Sequence, residues 1–263
     1  MTTDQLKQNK LTKSSPSPPQ QAVTFQISAQ KVAKVLVVWV FFVAILGGFS
    51  HYVTFQIVPQ LDGLLGRGVG NVMRRIGLEE EPSLAHWYSS LALLACAIAL
   101  GIIAAAEKKI KGPFLGWGLL CLLFCFLALD EAIEIHELFS KPLRLWLGTG
   151  GALHWAWVLP YGLLALLVGI ASLRFLIRLE PRTRKLFVLA GVIFCASAIG
   201  GEMIGSVMYS RGGFESTAYL VINTVEELGE MLAIVIMLFA LLSYMGRYIG
   251  RIELSFDAPP EDR

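Results

Sequence analysis

Seven carboxylates and four imidazoles carry most of the chemistry this sequence can offer. The stretch LALDEAIEIHE holds Asp130, Glu131, Glu134 and His136; AIGGEMIG holds Glu202; NTVEELGEM holds Glu226, Glu227 and Glu230. The other three histidines are His51, His86 and His154. At 100° per residue, a helix through the first stretch puts Asp130, Glu134 and Glu137 at about 0°, 40° and 340°, with Glu131 beside them at about 100° and His136 turned away at about 240°. Glu226 and Glu230 share a face flanked by Glu227, so an acidic-Glu-x-x-Glu pattern occurs twice. Carboxylates mixed with imidazoles are donors for iron, manganese or zinc, and the cores of helix bundles are where such sites are built. The Glu-x-x-His spacing of ferritin-like di-iron proteins is absent: Glu134 and His136 are two residues apart and are expected on different sides.

The elements that must position these groups follow from apolar run lengths. The chain is 55% hydrophobic and 16% charged, against about 25% charged in a soluble domain. A crossing helix needs roughly 20 apolar residues, and six stretches qualify: 32–58, 84–106, 114–137, 152–176, 186–209 and 217–244. Their apolar residues run all round, as expected where lipid is the solvent. The expected fold is all-α, a polytopic transmembrane bundle of about six helices. Residues 1–30 read as a disordered cytoplasmic tail, 31–250 as the transmembrane domain, and 251–263 as a second cytoplasmic tail. The net charge of +2 gives no case for a nucleic-acid partner; the partner expected is the lipid bilayer.

Basic residues set the orientation. All but six of the 22 Lys and Arg residues fall on the N-terminal side, in or next to the tails or in the two connections around Lys108–Lys111 and Arg174–Lys185. The six exceptions are Arg67, Arg74, Arg75, Lys141, Arg144 and Arg211. Positive charge stays inside, so both termini are expected in the cytoplasm. The outer connections 61–78 and 142–153 mix Leu, Arg and Gly and fit helices lying along the outer interface as well as plain loops. Cys96, Cys121, Cys125 and Cys195 sit in apolar spans and read as packing residues. Trp87, Trp146, Trp155 and Trp157 fit an interfacial aromatic belt.

With that orientation, every deep carboxylate and every histidine falls in the outer half of the membrane, while the inner half is almost wholly apolar. Charge at the centre of a span costs roughly 2.5–3.5 kcal/mol on insertion scales. No Lys or Arg lies at the depth of the acids, so either several are protonated or a cation sits among them. Three functions are compatible. One is a divalent-metal (Fe, Mn or Zn) site open to the exoplasmic leaflet, in a metal-dependent enzyme acting on a lipid or small amphiphile, with Asp130, Glu131, Glu134, His136, Glu202, Glu226, Glu227, Glu230, His51, His86 and His154 as candidate ligands. Another is a proton- or cation-coupled transporter built from two inverted three-helix halves. The third is an assembly or regulatory subunit without catalysis.

The pieces SLAHWYSS, LALDEAIEIHE, HWAWVLP, GGEMIG and VEELGEMLAI resemble a group of uncharacterised bacterial multi-pass membrane proteins. The resemblance covers the second to sixth spans, and LDEA-x-x-IHE is its most specific part. It implies a bacterial inner membrane and no particular activity.

Overall fold

The computed structural model describes residues 26–78 and 82–250. The two tails expected from the sequence lie almost wholly outside the described residues. Nine α-helices occur among the described residues: α1 (Ala29–Tyr52), α2 (Gly63–Ile76), α3 (Leu84–Lys109), α4 (Phe114–Ile133), α5 (Ile135–Leu147), α6 (Val158–Arg178), α7 (Pro181–Cys195), α8 (Glu202–Gly212) and α9 (Thr217–Tyr244). Segments of π-helix extend α1 (Val53–Ile57), join α7 to α8 (Ala196–Gly201) and extend α9 (Met245–Ile249). No strand occurs among the described residues. Six helical stretches are long and apolar enough to cross a membrane: Ala29–Gln60, Leu84–Lys109, Phe114–Ile133, Val158–Arg178, Pro181–Gly212 and Thr217–Ile249.

The first, second, fifth and sixth agree with the sequence to within five residues, and the fourth starts six residues later than expected, at Val158. The third ends early. The sequence reading ran it to residue 137, but the helix breaks at Glu134, whose backbone is left-handed (φ 59°, ψ 44°). The connections 61–78 and 142–153 are largely helical and not plain loops. Short amphipathic α2 and α5 expose Leu64, Leu65 and Val72, and Leu138, Leu145 and Trp146, respectively.

Small residues let the helices approach closely, which matters in lipid because apolar attraction between helices is weak there. The tightest pair is the α3–α4 hairpin. A Cβ at Gly101 would meet Cys121 Sγ at 3.4 Å, and the Cys121 thiol donates to the Ala97 carbonyl at 3.3 Å. Ser90 Oγ donates to the Ala128 carbonyl at 2.8 Å. All four cysteines are free; Cys96 and Cys121 pack between helices, while Cys125 and Cys195 lie exposed.

Helix α9 is the axis of the bundle and packs against α1, α3, α7 and α8. Its polarity changes along its length. The first half carries Asn223, Glu226, Glu227 and Glu230; the second buries Met231, Ile234, Leu238 and Leu241 in the core with Val40, Val43, Leu93, Leu100 and Ile103. The end of the bundle holding the acids is called the acidic end below. The opposite end carries Lys108, Lys109, Arg178, Arg182, Arg184 and Arg247 and is called the basic end.

Trp117 anchors the basic end. It is fully buried, with its ring against Phe175 (5.0 Å), Phe187 (5.8 Å) and Tyr244 (4.7 Å). Tyr244 donates to Glu107 Oε1 at 2.7 Å. Glu180 accepts from the Thr183 N–H and hydroxyl, both at 3.1 Å, and pairs with Arg247 at 3.2 Å. Burial acts to raise the Glu180 carboxyl, but the donors of Thr183, the Arg182 N–H and the Arg247 charge outweigh it and hold the group below the usual carboxylate range.

Replacing Trp117 by Ala is expected to cost about 3–5 kcal/mol, as other buried Trp truncations do, seen as a lowered unfolding midpoint in detergent; Trp117→Phe should cost much less. Because Glu180 is depressed on folding, its contribution is present above the unfolded carboxylate value and lost as pH falls through the folded one. The acid-side decline of the unfolding midpoint should therefore be shallower in Glu180→Gln.

Candidate functional site

The break at Glu134 organises the acidic end. Its N–H donates to the Asp130 carbonyl at 2.7 Å and closes α4. A left-handed backbone costs a non-glycine residue roughly 1–2 kcal/mol, and here it reverses the chain so that α5 starts beside the end of α4. Asp130 supplies what the new helix needs: its Oδ1 accepts from the His136 N–H at 2.9 Å, capping an otherwise unpaired donor in the first turn of α5. Oδ2 lies 3.3 Å from His136 Nδ1, and Tyr161 donates to Oδ1 at 2.8 Å.

This corrects the orientation expected for His136. A continuous helix would have turned it away from the acids; the break folds it back onto Asp130, which is itself buried. The pairing also favours one tautomer. With Nδ1–H directed at the carboxylate, the lone pair sits on Nε2, as a metal ligand or general base requires.

A second imidazole–carboxylate pair comes from α3 and α9. His86 is buried, with Nδ1 2.8 Å from Ser83 Oγ and Nε2 4.0 Å from Glu227 Oε1. Asn223, one turn before Glu227, donates to the Leu78 carbonyl at 2.9 Å and ties α9 to the segment after α2.

The third contribution comes from α7–α8, where the helix widens into a π turn just before Glu202. Such turns let one side chain be re-aimed without ending the helix. Two glycines bring this segment against α9. A Cβ on Gly201 would lie 2.9 Å from both Cβ and Cγ of Glu226, and one on Gly229 would strike the Ser197 hydroxyl.

These pieces surround one cavity of about 240 Å³. Its wall holds the carboxylates of Asp130, Glu131, Glu134, Glu137, Glu202, Glu226, Glu227 and Glu230 and the imidazoles of His86 and His136, with no Lys or Arg among the lining residues. Nine of the eleven candidates named from sequence meet here. His51 and His154 do not. His51 packs on Phe55, ring centroids 4.6 Å apart. His154 is held by Arg144, 3.2 Å from its Nδ1, and by the rings of Trp155 and Tyr209. Burial and the Arg144 charge keep its imidazole below the usual histidine range. Among the described residues, no three His, Cys, Asp or Glu side chains stand close enough together to hold a metal ion. The donors are spread round the wall of the cavity.

Sequence reasoning missed Tyr161, Asn223, Tyr219 and Phe214, and it assigned Trp155 and Trp157 to an interfacial belt. All six line the cavity, whereas Trp87 and Trp146 are well exposed, as belt residues would be. Asn223 had a signal in its spacing, three and four residues before Glu226 and Glu227 on one helix face.

A model for a domain of unknown function, DUF8692, matches residues 33–245. The chain belongs to the DUF8692 family. No curated protein and no solved structure matches it. The DUF8692 match takes in the first span, which the resemblance noted from sequence left out, and it includes every residue of the cavity.

Gly201→Ala is expected to push Glu226 and the π segment apart and to lower the unfolding midpoint by the equivalent of about 1–3 kcal/mol, as overpacking does. Gly200→Ala is the matched control, since a Cβ there meets nothing within 4 Å. Equal midpoints for the two variants would show that the close approach is unimportant.

Proposed function

We propose that this is a multi-pass protein of the bacterial inner membrane, with its basic end in the cytoplasm, and that its acidic cavity opens to the exoplasmic side and binds a cation. A divalent metal ion is the first candidate. It would be held by carboxylates of α4, α8 and α9 with His86 and His136 as imidazole donors, and would serve a metal-dependent reaction at the membrane. The observation that carries this reading is the charge imbalance: eight carboxylates round one cavity with no basic side chain in its wall. Such groups repel one another unless protons or a cation intervene.

Two features suit the chemistry. Each lining imidazole is held through Nδ1, His136 by Asp130 at 3.3 Å and His86 by Ser83 Oγ at 2.8 Å, and outer partners of that kind orient histidine ligands in metal sites so that Nε2 meets the ion. Carboxylate oxygen with imidazole nitrogen suits iron, manganese or zinc. The carboxylates must swing inward to close a coordination shell, and a cavity of this size leaves room for that. The apolar packing of Met231, Ile234, Leu238 and Leu241 directly along α9 favours a one-sided binding site over a coupled transport path through two inverted halves.

The test is elemental analysis of protein purified in mild detergent from cells supplied with iron, manganese and zinc, wild type beside Glu134→Gln/Glu230→Gln. The expected result is metal at a whole-number ratio in the wild type and its loss in a variant that remains folded. Folded wild-type protein without metal, even after incubation with each ion, would sink the metal reading and put proton-coupled transport or an assembly role first.

A further inference from the structure

Helix α6 is attached at its two ends and stands off between them. At the acidic end Tyr161 bonds to Asp130 at 2.8 Å and meets Phe126, ring centroids 6.3 Å apart. At the basic end Phe175 packs on Trp117 and against Gly116, where a Cβ would collide with its ring. On α6 the two contact points are two heptads apart, with Val168 midway; on α4 they are Asp130 and Gly116, with Leu123 midway. In antiparallel register Val168 comes level with Leu123, and Leu164 with Leu127. A packed pair would bury all four. All are only half-buried, α4 and α6 make little contact between their ends, and the only fully buried residue of α6 is Val158 at its start. We read this loosely packed middle, about 20 Å long at 1.5 Å per residue, as an apolar slit between α4 and α6.

The slit leads into the cavity. Leu127 lies on its path and also lines the cavity, whose wall above it carries Asp130, Tyr161 and Trp157. Trp157 gives an independent sign of a ligand. It is 7% exposed, and its indole Nε1–H is buried with no hydrogen-bond partner. A buried donor left unpaired costs roughly 1–3 kcal/mol, and a bound acceptor would recover it.

We propose that cavity and slit together bind a long-chain amino alcohol, an amphiphile with an ammonium and an adjacent hydroxyl at one end and an alkyl chain at the other. The ammonium matches a cavity walled by carboxylates and by the rings of Trp155, Trp157, Tyr161 and Tyr219, a setting that favours cations. The hydroxyl oxygen accepts from Trp157 Nε1–H. The chain lies in the slit, between Leu123 and Leu127 on one side and Leu164 and Val168 on the other. An anionic head would meet eight carboxylates and no basic side chain. The inference rests on reading the cavity as a cation site, and it adds the class of molecule served.

The test uses the full chain in phosphatidylcholine nanodiscs and a long-chain amino alcohol carrying a diazirine midway along its chain. After illumination, the labelled residues are mapped by mass spectrometry. Label concentrated on the facing segments of α4 and α6, displaced by unlabelled amino alcohol but not by the same chain ending in a diol, is the expected result. Leu164→Trp, which fills the slit, should reduce that label about tenfold or more, and Trp157→Phe, which keeps an aromatic ring but removes the N–H, about tenfold. Label spread evenly over all lipid-facing residues, or unchanged in both variants, overturns the proposal. Metal content measured on the same preparations separates the two readings. Specific label on metal-free protein leaves the amphiphile standing and removes the metal; a normal metal content with scattered label does the reverse.

Discussion

A carboxyl group carried into hydrocarbon must find polar neighbours or stay neutral, and a chain with acids on three of its spans has to arrange its whole bundle to meet that demand. Here the acids of α4, α8 and α9 share one cavity at one end, and the opposite half of the core is apolar. Helix α9 is the plainest case. Asn223, Glu226, Glu227 and Glu230 face the cavity, and the next turn begins an apolar, mostly buried stretch from Met231 to Leu241. Close packing follows from the same demand, since Gly201 and Gly229 bring the α7–α8 π segment against the acidic half of α9.

The six long apolar helices and the gathering of acids at one end were legible in the sequence, because both depend only on run length and on position along each run. The break at Glu134 was not. Helix ends are usually marked by Gly or Pro, and the LDEAIEIHE run has neither, so nothing local distinguishes a left-handed Glu134 from another turn of helix. The orientation of His136 was lost with it. Trp155 and Trp157 were misplaced for a different reason. Aromatics near the ends of spans are most often belt residues, and only the path of the chain from Gly151 to Val158 turns these two toward the acids.

The two imidazole–carboxylate pairs differ in construction. Asp130 and His136 lie six residues apart on either side of a backbone reversal, so the helix break itself sets their distance, and Tyr161 from α6 adds a third bond. His86 and Glu227 come from separate spans, and their distance depends on how α3 packs on α9. One pair is locally fixed; the other reports on the bundle. A ligand that draws α3 and α9 together would change the second pair and leave the first untouched.

The lengthwise polarity of α9 also bears on how the helix would sit in a bilayer. With its π extension the sixth span covers 33 residues, about 50 Å at 1.5 Å per residue, against a hydrocarbon layer about 30 Å thick. Tilt absorbs part of the excess, and the rest falls on the half that carries Glu226, Glu227 and Glu230. Those glutamates face the cavity and not the surrounding lipid, so the acidic half of α9 runs through a polar interior, while its apolar half from Met231 onward is about as long as that layer is thick. In a bilayer, a match of this kind would set the acids toward the edge of the acyl region and leave the lipids around the bundle unstrained.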